Sequence, residues 1–100
     1  MDRVTFVESV YGIKYPEMIV DFFDHFIALK QIVEDTGTIS VINNEENSIE
    51  FSILFSSSNY MRSALNIINS LNGNIIIYGR NIMILVEVLT DSEIKIKLFN

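Results

Sequence analysis

Residues 58 to 88 read SNYMRSALNIINSLNGNIIIYGRNIMILVEV, and their spacing sets out a helix, a short strand, a tight turn and a longer strand. Met61, Ala64, Leu65, Ile68 and Leu71 recur every three or four residues, which gives Asn59 to Leu71 one apolar face suited to lying on a sheet. Ser58 is placed to cap the start of this helix. Gly73 stands just past the last periodic residue, where a left-handed helix end favours a residue without a side chain. Gly79-Arg80-Asn81 then divides an apolar run into Ile75 to Tyr78 and Ile82 to Leu89, each of strand length.

The totals bound what this unit belongs to. One hundred residues at 49% apolar composition suffice for one domain with one core, spanning 1 to 100, with core elements at about 4 to 89 and an extension over 90 to 100. The absence of cysteine removes disulfides, thiolate metal sites and cysteine nucleophiles together. No apolar run approaches the ~20 residues of a membrane helix, and Glu8 and Gly12 interrupt any leader-like segment, so a soluble intracellular protein is expected. A net charge of -6 argues against general affinity for phosphate backbones, which rests on Lys and Arg displacing counterions. Seventeen Ile and ten Asn against two Ala mark a compositional bias, so strand propensity read from Ile is discounted.

Along the chain, Val4 to Val10 reads as a strand ahead of the Tyr11-Gly12 breaker. Pro16 and Glu17 suit the first turn of a helix whose apolar stripe is Ile19, Phe22, Phe23 and Phe26. From about Leu29 the pattern fits either a continued helix to Asp35 or a second strand. Thr36-Gly37-Thr38 is a turn, Ile39 to Ile42 fits a hairpin arm, and Asn43 to Asn47 is a polar loop. Ser48 to Phe55 alternates, with Ile49, Phe51, Ile53 and Phe55 on one side and Ser48, Glu50, Ser52 and Leu54 on the other. After the turn at Thr90 to Glu93, Ile94 to Phe99 alternates as an edge strand with outward lysines would. Omitting the short strand, the order is βαββαβ. The expected fold is α+β, ferredoxin-like, with a four-stranded antiparallel sheet, two helices on one face, an extra short strand before the last one and a strand-like C-terminal tail.

Four segments in this order resemble the RNA recognition motif (RRM) family over residues 4 to 88. Thr5-Phe6-Val7-Glu8-Ser9-Val10 is similar to its first strand, and Ile19 to Phe26 to its first helix, after which the family turns into a second strand; this favours a strand from about Leu29. Leu71-Asn72-Gly73 and Tyr78-Gly79-Arg80-Asn81-Ile82 resemble its second helix end and last strand. Ile75 to Ile82 looks most like a subgroup that includes the small RRM subunit of splicing factor 3b and the RRM subunit of the nuclear exosome targeting complex. There, the resemblance implies, the domain docks a protein partner through its helical side.

RRMs that read RNA stack bases on aromatics of the open sheet face. Aligning Phe55 with the last aromatic of the family's third-strand motif places Ser48 at its basic position and Glu50 and Ser52 at its two stacking positions. Each stacked base is worth roughly 1–3 kcal/mol, so two lost platforms forfeit on the order of 2–6 kcal/mol. Every 1.4 kcal/mol is about tenfold in affinity. The expectation is a nuclear, non-enzymatic subunit of an RNA-processing complex, most like a pre-mRNA splicing subunit, that docks a protein and has weak or no RNA binding.

Candidate protein anchors are Met18, Phe22, Tyr60 and Ile67 on the helical side, although the same residues also fit the border of the core. A competing reading is a single-stranded RNA binder using Phe6, Met83 and Leu85 on the open face with the basic residues Arg3, Lys30 and Arg80 in loops. A third is a microbial or phage ferredoxin-like domain that binds a ligand or dimerises; a helix continuing through Asp35 would favour it. His25 stands alone beside Asp21 and Asp24, as a solvated or capping histidine does. The glycines stand singly at turns, so there is no phosphate loop, and the acids show no pairing around a nucleophile. No catalytic residue, metal ligand or cofactor is expected.

Overall fold

The computed structural model describes residues 16 to 100. The expected strand Val4 to Val10, with Arg3 and Phe6, lies outside the described residues. Helix α1 (Glu17–Asp24) starts behind Pro16 and buries Ile19, Val20, Phe22 and Phe23 on one side. It closes at His25, whose backbone N–H donates to the Asp21 carbonyl, while the Phe26 N–H donates to the Phe23 carbonyl. Phe26, at φ -133 and ψ 67, breaks the helical path, and a second helix, α2 (Ile27–Thr36), begins at once.

The second strand expected near Leu29 is therefore a helix. The reason lies in spacing: Leu29, Ile32 and Val33 fall three and four apart, and Leu29 and Val33 are fully buried as one helical stripe. The Thr36 hydroxyl donates to the Ile32 carbonyl at 2.6 Å and helps close the last turn. Strand β1 (Gly37–Asn44) follows without a linker. A Cβ on Gly37 would lie 3.0 Å from Ile53 Cγ2 and 3.2 Å from the Val33 carbonyl, so only glycine lets this helix-to-strand corner close onto the sheet without displacement.

Strand β2 (Ser48–Phe55) pairs back on β1, with a bulge at Ile42. Helix α3 (Ser58–Asn69) buries Met61, Ala64 and Ile68, as the periodicity of that stretch requires. Its N-cap is Ser57 rather than Ser58, and Ser57 makes no side-chain capping bond. Beyond the helix, Asn72 and Gly73 both hold left-handed backbone, at φ 55 and φ 88. Strand β3 (Asn74–Ile77) turns into β4 (Arg80–Val88) through two residues, Tyr78 at φ 51 and Gly79 at φ 76. Two positive φ values in a two-residue hairpin loop define a type I′ turn.

Strand β5 (Glu93–Phe99) alters the expected topology most. The sheet order is β1-β2-β5-β4-β3, antiparallel throughout, so the C-terminal segment is the centre of a five-stranded sheet and not an edge. The alternation of Ile94, Ile96 and Leu98 with Lys95 and Lys97 was correctly a strand signal. Outward lysines, however, report a solvated face, which an antiparallel strand has whether it lies at the edge or in the middle. The described residues thus form an α+β domain with three helices where two were expected, and a single five-stranded antiparallel sheet where a four-stranded sheet with an extra short strand and a strand-like tail was expected.

One face of this sheet makes the core. Ile49, Phe51, Ile53, Ile94, Ile96 and Leu98 are almost wholly buried beneath Ile19, Phe22, Phe23, Leu29 and Val33 of the helices. Phe51 receives the edges or faces of Phe22 and Phe23 at centroid distances of 6.4 and 6.0 Å, within the range of favourable T-shaped pairs. Among the described residues no element lies over the opposite face, and that is where exposed side chains of mixed chemistry collect.

Candidate functional site: the open face of the sheet

The pairing register fixes what stands beside what on the open face. One row runs Asn74, Met83, Phe99 and Ser48; the next Leu85, Lys97, Glu50 and Asn43; the next Glu87, Lys95, Ser52 and Ser40; the last Glu93, Leu54 and Thr38. Ile76 lies beside the first row, opposite Asn81. Because Ile82 and Ile84 point into the core at 3% and 6% exposure, Met83 and Leu85 point outward, and they are 38% and 58% exposed. Ile76 is 61% exposed and Leu54 50%. Ile76, Met83, Leu85 and Phe99 form an apolar corner; Leu54 stands apart at the other end.

The middle of the face is ionic. Lys95 Nζ lies 3.1 Å from Glu87 Oε1 and 3.6 Å from Glu50 Oε2, so one ammonium bridges carboxylates on both neighbouring strands. The hydrogen bond to Glu87, then the charge of Glu87 and the weaker influence of Glu50, raise the Lys95 pKa above 10.5. Lys97 packs near Phe99, with its Nζ 5.6 Å from the ring centroid. Ser52, a short side chain between Lys95 and Ser40, is buried within the face. The expected degenerate positions are thus all on this side, but Glu50 holds a lysine and Ser52 is inaccessible.

The remaining expected site residues scatter. Lys30 is not a loop residue; it sits in α2, buried, with its Nζ 3.0 Å from Asp24 Oδ1 on the helical side. Arg80 lines a shallow cleft of about 180 Å³ between α1 and the β3–β4 hairpin, together with Glu17, Met18, Asp21, Ile77, Tyr78 and Ile82. Two carboxylates in that cleft oppose any polyanion. His25 closes α1, its Nδ1 donating to the Asp21 carbonyl at 2.8 Å, and its ring meets Tyr78 edge-on at 4.7 Å.

On the helical side, Phe22 is fully buried and forms part of the core. Met18 and Ile67 are partly buried and pack against that core, and Tyr60 alone is exposed, at 45%. They do not form one surface. Phe99, Ile76, Lys95, Lys97 and Glu87 are the residues that sequence reasoning did not single out. For Lys95, Lys97 and Phe99 the signal was present in the alternation of residues 94 to 99, which becomes a site with Ile76 and Glu87 only once β5 is placed beside β4.

Among the described residues no group of three or more His, Asp or Glu is arranged to hold a metal ion. No helix among them is long and apolar enough to cross a membrane. Compared with family models, with curated proteins and with solved structures, the chain matches none.

Proposed function

We propose that this chain is a non-catalytic interaction domain that docks a protein through the open face of its sheet. The observation that carries this is the contiguous exposure of Ile76, Met83 and Leu85 beside Phe99, next to an ion ladder whose central lysine is already neutralised. Clustered apolar side chains rimmed by paired charges suit a desolvated protein contact. They do not suit RNA: Lys95 is committed to two carboxylates, and neither Glu50 nor buried Ser52 offers a stacking surface.

In fold we read the domain as a rearranged ferredoxin-like sandwich. Support comes from β5, which runs antiparallel between β2 and β4, the place and direction that the first strand of a βαββαβ chain takes. The RRM expectation gave that place to Val4 to Val10. Helix α2, continuing through Asp35 to Thr36, adds weight to the ferredoxin-like alternative. Protein docking is kept from the RRM expectation but moved from the helical side to the open face; its nuclear, splicing-complex setting is not required by anything on this face.

A photo-crosslinking residue at position 85, with a control at position 60 on α3, tests the docking reading in the native cell. Adducts with a polypeptide are expected from position 85 and not from position 60. Equal yields, or none from position 85, would remove the open face as the docking site.

A further inference from the structure

We infer that the partner on the open face is a second copy of this chain, packed sheet to sheet about a two-fold axis that runs along the strands between β4 and β5. The inference rests on the docking reading above and specifies its occupant. The register supplies the reason. Across β4 and β5 the open-face rows pair Met83 with Phe99, Leu85 with Lys97, and Glu87 with Lys95. Each row joins two unlike groups, and no row joins like charges.

Rotation about the stated axis lays β5 of the second copy over β4 of the first. Every side chain of these rows then faces the counterpart of its own row partner. Met83 meets Phe99 of the second copy, a thioether against an aromatic ring. Leu85 meets the aliphatic stem of Lys97. Glu87 meets Lys95, so the ion pair within each copy, 3.1 Å long, becomes one side of an alternating square of four charges. An axis along β5 itself would instead stack Lys95 on Lys95 and Lys97 on Lys97, and like charges brought together disfavour that packing. The pattern is self-complementary about the axis between β4 and β5 and repulsive about one along β5; an axis between β2 and β5 would also set Lys97 against Glu50, but it would lay Leu85 over Asn43 and leave the apolar corner without an apolar partner.

The footprint fits a dimer that comes apart. Only β4 and β5 overlap along the whole seven-residue span, which at about 4.8 Å per strand and about 3.3 Å per residue covers roughly 10 by 23 Å, while β2 of one copy meets β3 of the other only near Asn74. Standard interfaces bury about 800 Å² per partner. A face of this size falls at the small end, and aligned sheets crossing at about -30° keep the best match near the central row of Leu85 and Lys97. Dimerisation is therefore expected to depend on concentration in the micromolar range.

Charge exchange tests the axis. Lys95→Glu makes the face of one variant acidic at both positions, and Glu87→Lys makes the other basic at both. In sedimentation equilibrium the unaltered full chain is expected to shift from monomer to dimer with concentration. Each variant alone is expected to stay monomeric, and an equimolar mixture to form heterodimers at least about tenfold more tightly than either variant self-associates. Circular dichroism and a urea midpoint establish that both variants fold. Should either fail to, Met83→Glu, expected to abolish dimers, and Tyr60→Glu on the helical side, expected to preserve them, replace the pair. A chain that is monomeric throughout, or a mixture no tighter than its components, overturns the inference. Adducts at position 85 with other proteins and a monomeric chain would overturn the second copy while leaving docking in place. Absence of adducts at position 85 would overturn docking itself.

Discussion

The two faces of the sheet are drawn from the same strands and differ in one respect, the parity of the residue. On β5 the even positions Ile94, Ile96 and Leu98 are wholly buried, whereas the odd positions Glu93, Lys95, Lys97 and Phe99 are only partly so. On β2 the buried set is Ile49, Phe51, Ile53 and Phe55, and the other parity carries Glu50 and Leu54. The helix-covered face is uniformly apolar and is held by close packing. The open face mixes carboxylates, ammonium groups and a few exposed apolar side chains, so its order comes from cross-strand pairing. Stability therefore belongs to one face, and specificity toward a partner belongs to the other.

A paired truncation measures this division most directly. Phe51→Ala removes a ring packed against Phe22 and Phe23 and is expected to lower unfolding free energy by about 3–5 kcal/mol in urea titration. Leu85→Ala, on the other face, is expected to change it by no more than about 0.5 kcal/mol when measured on the monomer. A loss above about 2 kcal/mol at Leu85 would break the contrast, because exposed side chains seldom reach that value.

Smaller effects sharpen the same comparison at its borders. Gly37→Ala places a methyl group against Ile53 and the Val33 carbonyl, and about 1–2 kcal/mol of destabilisation is expected, since the backbone oxygen gives way less readily than a side chain. Tyr78→Asn should act in the opposite direction. Tyrosine at φ 51 bears the left-handed backbone that asparagine tolerates better, and a gain of about 0.5–1 kcal/mol in unfolding free energy is expected.

The smallest effect concerns Lys95. Its pKa is raised chiefly by the hydrogen bond to Glu87, so the folded state holds this proton more tightly than the unfolded chain does. The stabilisation is fully present below pH 10.5 and is lost as the pH rises through the raised value. Urea midpoints above neutral pH should fall less steeply in Lys95→Met than in the unaltered chain. Identical slopes would mean that the ion ladder adds nothing to folding.

Much of this was legible in the sequence. The alternation over Ser48 to Phe55, the periodicity over Met61 to Leu71 and the hairpin around Gly79 all became elements, because each has a single period that its surroundings satisfy. Residues 27 to 36 were harder, since Leu29, Ile32 and Val33 mark a helix while Ile27 and Ala28, both exposed, blur the stripe. The site was half legible. Parity placed Met83, Leu85, Glu50 and Ser52 on one face, but a strand's own residues carry no sign of which neighbours it will have. Placing β5 at the centre required the pairing with β2 and β4, a long-range fact, and with it came Lys95 between its two carboxylates. Among the helical-side anchors Phe22 was misplaced for a different reason: periodicity marks it as apolar without saying that its stripe would be completely covered.

Because β5 joins two hairpins, it also sets the order in which the molecule can be completed during synthesis. Strands β1 and β2 form one hairpin and β3 and β4 another, and among the described strands β5 alone links them. Both hairpins precede Glu93–Phe99 in the chain. Until β5 joins them, β2 and β4 have no neighbour among the described strands on their inner edges, and the apolar faces of Phe51 and Ile84 have no described strand between them. An emerging chain is thus open at its middle, the place where strand edges invite pairing with other chains. Among the described strands, β5 is the one that removes this exposure.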